Sequence, residues 1–247
     1  MTFEAPRTVT DISECYFYHA MDIPGHGPVA GEWDLRPGIG DYLGHHDFAG
    51  KRVLDVGAAS GFVSFHVEKA GAEVISYDLS EAWPWDIVPF SGAPDPAVDA
   101  ERRRHMRRIN NGYWFCHAAM RSRAKVVYGT AYDIPSALGP VDVAIFGSIL
   151  LHLRDPFLAL QNGARLARDA VIVADVAPLG RLGGLLRSPR FQPNHRAPQH
   201  WGTWWLLPPR LVREQLAILG FPRATIAWHR QLFLGRPRWL YTVVARR

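Results

Sequence analysis

The sequence predicts an α/β fold, a doubly wound and mostly parallel seven-stranded sheet with an antiparallel C-terminal hairpin. Three observations carry this. From Lys51 onward, short apolar strands alternate with helical patterns. One run, "AVIVADVA", is apolar but for Asp175, as befits a strand buried on both faces. The last two strands follow each other with no helix between them. At 247 residues the chain is long enough for one large domain and short for two.

Taken in order, "RVLDVGA" reads as the first strand, running into a glycine loop, and "FVSFHVEKAG" as a helix closed by Gly71. "EVISYD", "KVVYG" and "VDVAIFGSIL" are the second to fourth strands. "DPFLALQNGARLAR" is a helix with Asp155 as N-cap and Pro156 in its first turn. "AVIVADVA" is the fifth strand, and "PPRLVREQLAILGF" a further helix. "RATIAWHRQLFL" and "WLYTVVARR" are the hairpin strands, joined by the turn "GRPR", which puts an antiparallel strand at or near one edge. The chain is read as a single domain over 1–247, with no internal repeat. Three segments fall outside the alternation: the N-terminal cover 1–50 and the inserted covers 81–123 and 178–208. All lie before the first strand or beyond a strand's carboxyl end, where open α/β sheets bind ligands.

Composition bounds the function classes. Hydrophobic content of 48% and charged content of 21% are those of a globular protein, and no apolar run reaches membrane-span length. The start, "MTFEAPRTVTDISE", has no basic-then-apolar signal, so a cytoplasmic protein without a membrane partner is expected. Cys15 and Cys116 form no C-x-x-C, and no His/Cys cluster has metal spacing, so neither a disulfide nor a metal site is expected. The net charge of +5 comes almost wholly from Arg; it fits a nucleic-acid partner or a simple compositional preference for Arg over Lys.

The loop "LDVGAASGF" decides the ligand class. A dinucleotide fingerprint needs glycine where this chain has Ala59, because backbone must approach a pyrophosphate there. A nicotinamide enzyme is disfavoured on that ground. The pattern Asp55-x-Gly57-x-Ala59-x-Gly61 at the end of a first strand instead resembles motif I of class I S-adenosylmethionine (SAM)-dependent methyltransferases. The resemblance implies a Rossmann-like methyltransferase fold and SAM as cofactor. It implies cofactor contacts at Asp55, Gly57, Ala59 and Gly61, with Asp55 the acid near the α-ammonium. Asp78 and Leu79 would meet the ribose hydroxyls, Ala131, Tyr132 and Asp133 the adenine, and Gly147 would end the fourth strand beneath the cofactor. The blocks "YHAMDIPGHG…GEWDLR", "GSILLHLRDPFLAL" and "WWLLPPRLVREQLAILGF" are similar to the wobble-uridine tRNA methyltransferases of the 5-methoxyuridine and 5-carboxymethoxyuridine type, and to their shorter relatives. Most of the insert 81–123 does not match them, nor does the chain carry their N-terminal extension that grips RNA.

Methyl transfer needs a nucleophile positioned at a sulfonium methyl and a group to take its proton. His152, just beyond the fourth strand, is the candidate general base or orienting group. His19, Trp33 and Arg36 in the N-terminal cover, Tyr113 in the first insert, and His200 and Trp204 in the second are the candidate acceptor contacts. Trp33 would lie against a flat acceptor and Arg36 would pair an anionic group. "ERRRHMRR" is either a solvated helix face or a phosphate grip. The leading expectation is methyl transfer to a small-molecule acceptor of specialised metabolism, at oxygen before nitrogen. A tRNA-modifying enzyme is the alternative, and a non-catalytic SAM-fold binding protein a distant one. The sequence leaves the oligomeric state open.

Overall fold

The computed structural model describes residues 3–87, 96–196 and 202–247. In chain order the strands are β1 (Met21–Ile23), β2 (Gly27–Val29), β3 (Trp33–Asp34), β4 (Arg52–Val56), β5 (Glu73–Asp78), β6 (Lys125–Tyr128), β7 (Val141–Gly147), β8 (Ala167–Val176), β9 (Arg190–Phe191), β10 (Trp205–Leu206), β11 (Arg223–Phe233) and β12 (Arg236–Arg246). The helices are α1 (Ile39–Tyr42), α2 (Phe62–Lys69), α3 (Pro96–Ala119), α4 (Pro156–Ala164) and α5 (Pro209–Ile218). Eight strands form the main sheet in the order β3-β11-β12-β8-β7-β4-β5-β6. β6, β5, β4, β7 and β8 are parallel, and β12 runs antiparallel to both β8 and β11.

All seven expected strands form. Both cap expectations hold as well: the Asp155 carboxylate accepts from the Leu158 amide at 2.9 Å, and Gly71 follows α2 with φ +97°. The hairpin lies near one edge of the sheet, as expected. β12 lies inside the sheet, paired with β8 over Leu240–Arg246, and β11 lies outside it. Burial explains this, because β12 carries the buried run Leu240–Ala245, while β11 alternates exposed and half-buried positions up to Trp228 and buries only His229 and Gln231. The eighth strand, β3, comes from the N-terminal cover and pairs with Leu232 and Phe233 at the tip of β11, its Trp33 also bridging to His19.

The insert 81–123 is more than a cover. Parallel β5 and β6 require a crossover, and α3 supplies it. Its last turns are buried, Tyr113, Trp114, Phe115 and Cys116 packing with Cys15, Met21 and Phe65 in one apolar cluster, while Met106 and Ile109 face the cavity described below. Cys15 and Cys116 are both buried free thiols in that cluster. Among the described residues no helix is long and apolar enough to cross a membrane.

Candidate active site

A cavity of about 610 Å³ opens at the carboxyl ends of β4, β5, β6 and β7, under the three covers. Its first half is built from backbone. The loop after β4 turns through two glycines and an alanine in the left-handed region, Gly57 at φ +82°, Ala59 at +50° and Gly61 at +90°. Aligning these amides has an energetic cost at Ala59, whose Cβ disfavours that conformation. In return, the Ala59 amide donates to Asp78 Oδ2 at 2.5 Å and the Leu79 amide to Oδ1 at 2.6 Å. Burial raises the Asp78 carboxyl to about 6 against the pull of those two amides. Gly129 and Gly147 complete this half; side chains there would run into the hydroxyls of Tyr77 and Tyr42. A small-residue floor with one carboxylate at its rim fits a nucleoside whose ribose offers two hydroxyl donors.

His152 closes the second half from below. It ends the short 3-10 turn Leu150–His152 after β7. Asp175, at the end of β8, accepts from the Val176 amide at 2.7 Å, and its Oδ2 has no partner among the described residues. His152 Nδ1 is hydrogen-bonded to the carbonyl of Gly202. A carbonyl only accepts, so Nδ1 carries the proton and Nε2 presents its lone pair. Burial holds the imidazole below its ordinary range, and the Gly202 carbonyl and the nearby Glu32 carboxylate oppose that shift. The ring is therefore neutral at physiological pH.

The remaining walls are aromatic and polar. Tyr18, His19, Glu32 and Trp33 come from the N-terminal cover, Trp83, Trp85, Arg102 and His105 from the first insert. Glu32 accepts from the Tyr16 hydroxyl, and the Arg102 guanidinium lies 4.7 Å from the Trp85 ring. Burial pushes His19 down to about 4, and its Nδ1 has no partner among the described residues. Asp86 clamps the covers together. It receives the Tyr132 hydroxyl, the Arg154 Nε and, at 2.7 Å, the Arg154 amide, while its own carbonyl accepts from Trp204 Nε1 at 2.7 Å.

The structure brings together Gly57, Ala59, Asp78, Leu79, Ala131, Tyr132, Gly147, His152, His19 and Trp33 on one wall. It places six expected contacts elsewhere. Asp55 shares a strand face with Val53 and turns toward α2, where it accepts from Ser64 Oγ at 2.6 Å; burial lifts it to about 7. Gly61 lies behind the loop at the start of α2, where a Cβ would strike the Phe65 ring. Asp133 is exposed beyond the wall. Arg36 is held outside the cavity by Asp34 at 2.7 Å and Asp22 at 2.8 Å. Tyr113 is core, hydrogen-bonded to Ser76 at 2.8 Å. Trp204 buttresses the roof through Asp86, and its neighbours Gly202 and Thr203 line the cavity. His200 lies outside the described residues. Two of the wall residues not expected, Arg102 and His105, sit in the Arg-rich run with Met106 and Ile109. Their i, i+3, i+4, i+7 spacing is the signal that could have found them. Arg103 and Arg107 of that run pair instead with Asp99 and Glu81.

No protein-family profile and no curated protein sequence matches the chain. Solved structures do match. The 1,6-didemethyltoxoflavin-N1-methyltransferase of Burkholderia thailandensis, bound to 1,6-didemethyltoxoflavin and S-adenosylhomocysteine (SAH), aligns with TM-score 0.53 at 17% identity, over 86% of this chain and 77% of that one. The N-terminal domain of EvdMO1, crystallised in the presence of SAH and D-fucose, aligns with TM-score 0.51 at 16% identity, over 85% and 80%. Magnesium protoporphyrin IX methyltransferase from Synechocystis PCC 6803, with bound SAH, gives 0.50 at 17%, over 82% and 77%. The fold is that of the class I methyltransferases. Within the methyltransferase fold, the cavity occupies the crevice beyond the carboxyl ends of the first strands, where α/β sheets take ligands. The similarity to wobble-uridine tRNA methyltransferases stays with the sequence blocks quoted above.

Proposed function

We propose that the protein is a SAM-dependent methyltransferase acting on a small-molecule acceptor, at oxygen in preference to nitrogen. The observation that carries the reading is the neutral His152 with its free Nε2, facing the same cavity as the glycine-lined loop and Asp78. When bound, SAM supplies an electrophilic methyl. Asp78 would receive the ribose hydroxyls, the turn at Gly129–Tyr132 would flank the adenine, and Gly57 and Gly147 would let backbone lie close to the cofactor. The chain's own contribution is to hold the acceptor at His152, take its proton and exclude water with the covers. Three solved neighbours of the same fold carry SAH, which is consistent with this cofactor. Oxygen is favoured because a weakly acidic hydroxyl needs the base that Nε2 provides.

The tRNA alternative draws on the sequence blocks and on the net charge of +5. In favour of a small acceptor, the cavity is walled by Trp83 and Trp85 and braced by Trp204 through Asp86, and Arg103, Arg107 and Arg108 of α3 are tied to carboxylates and carbonyls. Methyl-labelled SAM, purified protein and a source-cell lysate split into RNA and small-molecule fractions test the reading. Label is expected in the small-molecule fraction with little dependence on salt. Nuclease-sensitive label that falls steeply with salt would replace it with the tRNA reading. SAH binding without any label would leave a SAM-fold binding protein.

A further inference from the structure

We propose that the face carrying Leu179, Leu182 and Leu185 docks the protein on an anionic lipid surface, the leucines entering the bilayer and the arginines beside them meeting lipid phosphates. This stands apart from the methyl-transfer reading and does not depend on it.

The face is built by one short 3-10 turn, Gly180–Leu185, in the second insert. A 3-10 helix has three residues per turn, so side chains at every third position stack in one row. Leu179, which caps the turn, Leu182 and Leu185 hold that row, and they are 65, 69 and 70% exposed. Glycines explain why the row points outward. A Cβ at Gly180 would lie 3.1 Å from the Trp239 ring, and one at Gly184 2.8 Å from the Trp228 ring. The turn therefore presses its backbone onto the two tryptophans of the hairpin and leaves its leucines to solvent. Single exposed leucines are ordinary on a surface, whereas an aligned row of them marks a contact.

Charge selects the partner. No Asp or Glu occurs between Asp175 and Glu214, a stretch that holds Arg181, Arg187, Arg190, Arg196, Arg210 and Arg213. Beside the row, the guanidiniums of Arg181 and Arg230 lie 5.7 and 4.4 Å from the centre of the Trp239 ring. Arg187, just past Leu185, joins Arg210 and Arg213 of α5 around a recess of about 460 Å³. Glu214 at this recess pairs with Arg213 at 3.0 Å, while Arg187 and Arg210 have no carboxylate partner among the described residues. A second copy of the chain would set arginine against arginine in a symmetric pairing, which like charges oppose. An anionic bilayer takes both parts of the face at once. Its acyl region accepts the leucines without a matching groove, and its phosphates suit the guanidiniums. The expectation of no membrane partner came from the lack of an apolar span and of a signal, and surface docking needs neither.

The full chain is centrifuged with vesicles of phosphatidylcholine alone and with vesicles containing about 30% phosphatidylglycerol. The anionic vesicles should take up at least about tenfold more protein, and raised salt should release it. Leu182→Ser combined with Leu185→Ser should lower the partition coefficient by roughly tenfold or more, and Arg187→Ala and Arg210→Ala by about fivefold each. The denaturation midpoint should stay at the wild-type value in all of them, which separates lost docking from lost folding. Equal uptake by the two vesicle types, or variants that bind anionic vesicles as well as wild type, overturns the proposal. A lipid-free dimer that the leucine substitutions dissociate would assign the row to a second copy and overturn it too. Retention on immobilised polyglutamate with no uptake by vesicles would give the face to an acidic protein instead.

Discussion

At the scale of the residue, the site turns on how burial sets protonation. Burial disfavours the charged form of His152, and with Nδ1 bonded to the Gly202 carbonyl its available nitrogen is Nε2, on a ring that lines the cavity. His152→Ala is expected to lower kcat by roughly 10²- to 10⁴-fold, the usual worth of a positioned base, while SAH affinity measured by calorimetry stays within about twofold. Because its pKa lies below the ordinary 6.5, the acid limb of the rate profile should fall below that value. Asp78 gives a separate pH dependence. Its carboxyl sits at about 6 in the free protein, and hydroxyl donors favour the ionised form. SAH affinity should therefore hold above pH 6 and decline below it. Asp78→Asn should abolish that slope along with most of the binding. An affinity that is flat from pH 5 to 8 would show that Asp78 does not face the ribose.

At the scale of the element, the loop between β4 and α2 is the tightest constraint. Gly61 combines φ +90° with a Cβ position against Phe65 and Tyr113. Gly61→Ala should cost roughly 1–3 kcal/mol in chemical denaturation, from backbone strain alone or with repacking. Ala59→Gly should move stability the other way by up to about 1 kcal/mol, because it relieves φ +50°. Equal effects of the two would mean that the loop relaxes freely. Much of this architecture was legible in sequence because strands such as "AVIVADVA" and caps such as Asp155 are local signals. The crossover α3 was hidden because its N-terminal half is charged and only Met106 to Cys116 is buried. The interior position of β12 was hidden because strand order is not a local property. Legibility at the site follows the same rule. Ala59, Asp78, Gly147 and His152 were readable from position along strands, whereas Asp55 was misplaced because pleat alternation, not spacing, decides which face it takes. Arg102 and His105 were missed because the Arg-rich run reads as a solvated helix face, and which of its faces turns to the cavity is decided by tertiary packing.

At the scale of the whole molecule, stability and cavity compete. Asp55 is buried beneath the loop with its carboxyl raised to about 7, far above the 3.8 of an unfolded chain. A raised carboxyl favours the protonated folded form, so ionisation on going from pH 4 to 7 works against the fold. Asp55→Asn should flatten this slope and leave the variant relatively more stable at pH 8 than at pH 4, read from denaturation midpoints against wild type. The opposite sign would mean that the Ser64 bond outweighs burial. The covers also act as one body. Asp86 joins the first insert to Tyr132 and Arg154 through its carboxylate and to Trp204 through its main-chain carbonyl, so the roof is fastened at a single residue.

The orientation of His152 has an evolutionary consequence. Its tautomer is set by a main-chain carbonyl, at a position where a Cβ would meet nothing closer than an Arg102 nitrogen at 4.0 Å. No codon specifies that oxygen, so no substitution at residue 202 deletes it. The mouth of the cavity is thereby free to drift toward new acceptors while the chemistry beneath it is inherited intact.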